Sequence, residues 1–181
     1  GVLYIADQGR QQILKRLPNG RFEVAAGTGV AGDSGDGGPA THAAIADPAS
    51  MAVARSGALY FVQPDARQLG GHAGSSVVRE VATDGRISTV IGADPDCRAA
   101  GVTARRMPAQ DADLPGGVSL AVTPAGNLAL TGFTCPNGVD GGPLLDLGSA
   151  GELIEAPRTH WSPDTSTAPA RWRTQVAVLC T

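Results

Sequence analysis

The residues best suited by type to do chemistry are a glycine-rich acidic run, three histidines and three cysteines. The run Asp33-Ser34-Gly35-Asp36-Gly37-Gly38 offers closely spaced carboxylates, hard oxygen donors of the kind that hold Ca²⁺. It lacks the 1-3-5 acidic spacing and the distal glutamate of an EF-hand, so Asp33 and Asp36 stand only as weak metal candidates. The favoured alternative is a tight turn in which the glycines take positive φ and the aspartates bond local backbone amides. His42, His72 and His160 are nitrogen donors that could hold Zn²⁺, yet none has a second ligand at a chelating interval, and solvated loop histidines are expected. Cys97, Cys135 and Cys180 show no CxxC spacing, which argues against a zinc site. An odd cysteine count allows at most one internal disulfide and leaves a free thiol. No nucleophile-elbow serine, P-loop or dinucleotide fingerprint is present. No resident cofactor is therefore expected, with Ca²⁺ or Zn²⁺ as the weak exceptions.

Composition decides what kind of scaffold must position these groups. With 42% hydrophobic residues in 181, the chain is rich enough to build a core. Glycine (25) and proline (13) are abundant and aromatics are only 4%, a balance that favours many short strands joined by turns. The net charge of −3 supplies no positive field for phosphates, so nucleic acid is a poor partner. No apolar run reaches the roughly 18 residues of a membrane span, and no membrane insertion by this segment is expected. The chain opens at Gly1 without Met or a signal-peptide pattern, straight into Val2-Leu3-Tyr4-Ile5-Ala6, as expected of a processed or trimmed product.

Self-similarity is the strongest structural signal. Gly1-Val2-Leu3-Tyr4-Ile5 returns as Gly57-Ala58-Leu59-Tyr60-Phe61 and again as Gly126-Asn127-Leu128-Ala129-Leu130. The turn glycines Gly20, Gly85 and Gly151 each precede a short alternating strand and recur every 65 to 66 residues. Asn-Gly and Asp-Gly between alternating runs are strong hairpin signals, because such turns demand positive φ. Each unit then reads as four short strands, a to d. In the middle unit these are 50–54, 58–62, 76–82 and 86–91, and in the next they are 118–123, 127–131, 143–147 and 152–155. The first unit, within 1–29, supplies b, c and d; the second spans 48–92 and the third 115–157. Residues 174–181 read as a lone strand a. Short a–b and c–d turns with long b–c and d–a connections are the pattern of β-propeller blades, whose sheets are buried on both faces. The expected fold is thus all-β, about three blades' worth of four-stranded antiparallel sheets.

The stretches 27–40 (Gly-Thr-Gly-Val-Ala-Gly-Asp-Ser-Gly-Asp-Gly-Gly-Pro-Ala), Leu59-Tyr60 and 84–92 resemble the NHL repeat of secreted and cell-surface bacterial propellers. So do Tyr4-Ile5-Ala6-Asp7 and the following Ile13-Leu14-Lys15. The resemblance is specific over residues 1–92 and weak over 93–156, where Ala129 replaces the tyrosine and strand c is not basic. It implies an extracellular or cell-surface setting and a ring of roughly six blades. The segment would then be a fragment of a larger ring or one partner of a two-chain ring, with the remaining blades coming from the parent chain or a second copy. The family resemblance also admits activity as a metal-dependent lyase or a lactonase-like hydrolase.

In this architecture the b–c and d–a loops share one face. Asp7, Arg10, Asp33, Asp36, His42, Asp65, His72, His160 and Trp161 all fall on those loops and are the candidate ligand-facing residues. Cys97 and Cys135 lie in successive connections of that face and form a candidate disulfide that would suit an oxidising compartment. Arg79, Glu80, Lys15 and Arg16 on strand c are candidates for weak charged pairs between blades. Trp161 and Trp172 flank a proline-rich stretch and are expected to pack over a seam. The favoured function is a non-enzymatic binding or sensor module for a protein, peptide or glycan. The lyase or hydrolase, and a structural repeat of a large surface assembly, are the alternatives.

Overall fold

The structure is a computed structural model of the chain and describes residues 2–64, 75–92, 106–112, 114–115, 118–123, 126–131, 145–147 and 152–155. It is an all-β protein of β-propeller type. The first sheet holds β1 (Tyr4–Asp7), β2 (Gln12–Arg16) and β3 (Phe22–Ala26), antiparallel in chain order. The second holds β4 (Met51–Val53), β5 (Leu59–Pro64), β6 (Ser75–Val81) and β7 (Ile87–Ile91) in the same order. After β7 come the short β8 (Arg106–Pro108) and β9 (Leu114–Pro115). The third sheet follows with β10 (Ser119–Val122), β11 (Leu128–Thr131), β12 (Leu145–Leu147) and β13 (Glu152–Glu155), and β8 joins it beside β13. The b, c and d strands read from residues 1–29 and the four strands of each later unit are all present to within a residue or two. The strand read at 174–179 lies outside the described residues.

Local chemistry explains the repeat. Four hairpin turns close on one backbone pattern, in which a left-handed glycine donates back across the turn. Gly20 donates to Leu17 O, Gly57 to Ala54 O, Gly85 to Ala82 O and Gly126 to Thr123 O, at 2.8–2.9 Å. All four have φ between +82° and +95°, a region that costs a side-chain-bearing residue about 1–2 kcal/mol.

Two apolar seams hold the three sheets together. Ile13 and Ala26 of the first sheet pack on Leu59, Phe61 and Ile87 of the second, with Ala40, Ala43 and Ile45 of the connecting loop filling the rest. Val62, Val78 and Ile91 on the opposite face of the second sheet pack on Leu120, Leu128 and Leu130 of the third, again with loop residues, here Ala109, Ala112 and Leu114. The second sheet is thus buried on both faces, as its unbroken apolar runs predict.

The long connections are more ordered than spacing alone predicts. Within 27–47, Gly37 to Ala40 run along the outer strand of the next sheet: Gly37 N donates to Ile87 O, Ile87 N to Gly38 O and Ala40 N to Gly85 O. Part of this long loop therefore reaches the short c–d turn at Gly85 instead of staying on the long-loop face. The connection 92–115, expected as loop throughout, does the same with β8, which pairs with β13. Its β9 also adds to β6 through Leu114 and Pro115. Two- and three-residue strands carry too few positions for alternation to betray them.

Gly27 (φ +98°) marks where the loop crosses its own sheet, since an added Cβ would lie 2.3 Å from Gln11 O. Gly37 (φ +80°) has open space around it. Gly27→Ala is expected to cost roughly 3 kcal/mol or more, lowering Tm by about 6–12 °C. Gly37→Ala should cost about 1 kcal/mol for its backbone alone. Equal losses in calorimetry would contradict the close approach at Gly27.

Candidate functional site

The candidate site is built where the β1–β2 loop meets the end of the 27–47 connection. A 3₁₀ turn at Gln8–Arg10 is capped by Asp7, whose Oδ1 accepts the Arg10 amide at 3.0 Å. Its Oδ2 receives the Arg10 guanidinium at 3.1 Å. The Arg10 side chain is nonetheless 75% exposed, so this pair orients the cation without removing it from solvent.

Gln11 follows at φ +53° and Asp47 stands at +39°; among the described residues these are the non-glycine residues with positive φ. They are bonded to each other. The Asp47 amide donates to Gln11 Oε1 at 2.6 Å, and Gln11 Nε2 donates to Asp47 Oδ1 at 2.9 Å. Gln11 Nε2 also reaches Gln8 O, and Gln8 Nε2 reaches Pro48 O. Strained backbone persists where surrounding contacts over-determine it, and such positions concentrate at functional sites. Beside this junction a Cβ added to Gly29 would lie 3.7 Å from Arg10 O, and Val30 stands 64% exposed. The result is a ridge carrying a cation, a carboxylate and an isopropyl group on a fixed backbone.

Asp36 has a different role from the one its loop suggests. It bonds no local amide. Its Oδ2 accepts the Thr89 amide of β7 at 2.9 Å, and its Oδ1 meets Arg79 of β6 at 2.6 Å. Arg79, expected as half of a weak surface pair, is wholly buried. Its Nη1 donates to Ala44 O at 2.9 Å and its Nη2 also to Ser34 O at 3.1 Å, while its buried Nε has no partner among the described residues. Gln63, also fully buried, donates to Gly32 O at 3.0 Å. The acidic run is thereby stapled to the second sheet from below. Burial alone would raise the Asp36 pKa, but the Thr89 amide and the Arg79 guanidinium outweigh it and hold the carboxyl below its usual value.

Of the other expected residues, Asp7 and Arg10 come together on the ridge. Asp33 is half-buried in the stapled run, and His42 is exposed at the end of the 3₁₀ turn Ala40–His42. Asp65, His72, His160, Trp161 and the Cys97–Cys135 pairing lie outside the described residues, as do Trp172 and Cys180. Among the described residues, no three His, Cys, Asp or Glu side chains gather as a metal site. Glu80 accepts the Tyr60 hydroxyl at 3.2 Å in the second seam, where burial first and the carboxylate second push the Tyr60 pKa up to about 12.

Sequence reasoning missed Gln11 and Asp47, because nothing in a lone glutamine marks left-handed backbone. The path of the connections did leave a signal. Pro39-Ala40-Thr41-His42-Ala43 returns as Pro108-Ala109-Gln110-Asp111-Ala112, and both stretches form the same 3₁₀ turn. Both also give their first alanine carbonyl to the glycine that ends strand d: Gly27 N donates to Ala40 O and Gly92 N to Ala109 O.

No protein-family model matches the chain. Over 100 residues, 53% of this chain, it is 33% identical to Teneurin-m of Drosophila melanogaster, of which that stretch is 3%. Among solved structures it is similar to a structural-genomics protein of unknown function from Bacteroides thetaiotaomicron. That match has 23% identity and a TM-score of 0.50 and covers 70% of this chain and 28% of that one. A second structure, described as a candidate gluconolactonase, matches at 21% identity with a TM-score of 0.48 over 86% of this chain and 44% of the other. The chain spans less than half the length of each of these proteins, and what it shares with the Bacteroides thetaiotaomicron structure is the fold.

The clamp predicts an asymmetry. Asp36→Ala leaves a buried guanidinium without its carboxylate and should cost on the order of 3 kcal/mol. Arg79→Met leaves Asp36 in contact with water and fills the same space, so about 1 kcal/mol is expected. The reverse order in urea titrations would refute the clamp. A carboxyl with a depressed folded pKa stabilises fully above its unfolded value near ~3.9 and loses that contribution as pH falls through the folded value. Acid unfolding of the wild type should therefore steepen below about pH 4, and Asp36→Asn should remove that component. In a Tyr4→Phe background, ultraviolet titration should place the remaining phenolate near 12, and Glu80→Gln should bring it down.

Proposed function

We propose that this chain is a non-enzymatic interaction module that engages a protein, peptide or glycan through the ridge around Arg10. The observation that carries the reading is the Gln11–Asp47 pair, two strained residues bonded reciprocally beneath an exposed arginine. Strain held in place by four side-chain hydrogen bonds is an investment that a passive connecting loop does not need. The ridge is also pre-ordered: Gly27 and Thr28 are bonded to Ala40 O and Ala43 O, and the run beyond them is clamped by Arg79. A partner meeting Arg10 and Val30 would order few further groups, which lowers the entropic cost of association. Arg10 can hold a carboxylate or sulfate, while Val30 and Gly29 give an apolar surface to a side chain or sugar ring.

The resemblance of residues 27–40 and 84–92 to NHL repeats supports an extracellular setting for such a module. Thiol titration of the unreduced, denatured chain should then give one reactive cysteine of three, leaving Cys97 and Cys135 bridged.

The test is a screen of the labelled chain on arrays of extracellular protein domains and of glycans. A binder found there should lose at least about tenfold in affinity, roughly 1.4 kcal/mol, with Arg10→Glu plus Val30→Asp, while the melting curve is unchanged. Gln11→Ala should weaken the same binder by freeing the ridge. Binding insensitive to all three changes would place recognition elsewhere. Turnover of glucono-1,5-lactone by the chain would replace the reading with a hydrolase.

A further inference from the structure

Two buried polar atoms beneath the 27–47 connection have no hydrogen-bond partner among the described residues. They are Gln63 Oε1, an acceptor, and Arg79 Nε, a donor, on side chains that are both fully buried. Gln63 stands opposite Val77 and Phe61 opposite Arg79, so Gln63 and Arg79 are diagonal neighbours on one face of the second sheet. Such neighbours have Cβ atoms roughly 7 Å apart. Their far ends converge as well. Gln63 Nε2 donates to Gly32 O at 3.0 Å and Arg79 Nη2 to Ser34 O at 3.1 Å. With a single residue between them, the Cα atoms of Gly32 and Ser34 lie within about 7.6 Å of each other.

The loop closes over this pair. Gly32 lies so near Ala44 that an added Cβ would stand 2.9 Å from the Ala44 Cβ, and a Cβ on Gly35 would stand 2.8 Å from Ala43 Cα. The start of the connection thus rests on its end, and Ala44 O takes Arg79 Nη1 at the same place. The orientation of the Gln63 amide is fixed too. Turned over, it would set Oε1 against Gly32 O, acceptor against acceptor, so Nε2 faces Gly32 and Oε1 is the group left to be satisfied.

The chemistry of the two atoms selects what can satisfy them. A cation would suit Gln63 Oε1 but would stand beside the Arg79 guanidinium. An anion would suit Arg79 Nε but would face Gln63 Oε1 and the Asp36 carboxylate already on Arg79. A neutral molecule that both donates and accepts suits the two together, and the closed loop admits only a small one. We propose that Gln63 Oε1 and Arg79 Nε bind one water molecule, which donates to the first and accepts from the second. Buried waters serve otherwise unsatisfied groups in this way and count as part of the structure. The water joins β5 to β6 beneath the loop, and it exchanges with solvent only when residues 32–36 lift from 43–44. The site lies apart from the ridge around Arg10, so its test is independent of the binding function.

A crystal structure of the chain at high resolution should show one peak at about 2.7–3.2 Å from both Gln63 Oε1 and Arg79 Nε. In solution, rotating-frame NOE spectra should connect the Arg79 Hε proton to a water resonance. Relaxation dispersion of water ²H and ¹⁷O should count one long-lived water fewer in Gln63→Leu than in the wild type. Circular dichroism checks that this variant folds, and the two wild-type measurements stand without it. A peak at about 2.3–2.6 Å from Gln63 Oε1, ringed by further oxygens, would identify a cation and overturn the proposal. Separate peaks on the two atoms, or no peak and no NOE, would overturn it as well.

Discussion

A guanidinium with no exposed surface must find acceptors within the protein, and Arg79 finds all of its acceptors in one loop. Asp36 neutralises it, and the carbonyls of Ser34 and Ala44 accept from Nη2 and Nη1 at either end of the same connection, which leaves only the buried Nε without a partner among the described residues. Leaving such a charge unmatched would cost several kcal/mol, so the loop has one low-energy path across the second sheet. That path brings Gly37 to Ala40 alongside β7, which in turn drops Ala40, Ala43 and Ile45 into the first seam. The sheet-to-sheet packing and the course of the loop are therefore one problem with one solution. The Thr89 amide, bonded to the other oxygen of Asp36, ties that solution to the register of β7.

The surface inherits its order from this arrangement. Gly27 can cross beneath Gln11 only because it lacks a Cβ, and the crossing fixes the height of the β1–β2 loop above the first seam. Asp47 leaves the seam at the residue after Ala46 and meets Gln11 there. The left-handed backbone at both residues is thus held by packing on one side and by amide bonds on the other. Arg10 and Val30 stay exposed beside this network, in which Asp7, Gln8, Gln11 and Asp47 bond to one another and to the loop backbone. The structure spends its local polar groups on position and leaves a cation and an apolar tip to face outward.

The strand pattern was legible in the sequence because it rests on local chemistry. Glycines after Asn or Asp require positive φ, and Gly20 and Gly85 take it; Leu59-Tyr60-Phe61-Val62 reads as buried on both sides, and it is. The long connections were not legible in the same way. Asp36 looks like any turn aspartate until Arg79, forty-three residues later, is folded against it. Arg79 looks like a surface charge on strand c for the same reason. β8 and β9 are too short for periodicity, although the repeated Pro-Ala-x-x-Ala recorded their shared turn. Gln11 is the extreme case, because its backbone angle follows from tertiary contacts that no neighbour in sequence encodes.

The same comparison explains why one polar clamp is enough. By register, Arg79 lies opposite Phe61, and the matching positions of the other sheets hold Leu14 opposite Ile5 and Leu145 opposite Leu130. Apolar seams built from Leu, Ile, Val and Ala are strong but nearly interchangeable, since hydrophobic burial is non-directional. A stack of similar sheets held only in this way could slip or exchange neighbours. A buried ion pair adds little net stability, yet breaking it is costly, so it penalises every arrangement in which Asp36 does not meet Arg79. Placed in the seam that also carries the loop to the ridge, the clamp distinguishes that seam from the one on the other side of the same sheet. The apolar contacts supply cohesion, and the buried Arg79–Asp36 contact decides which face meets which.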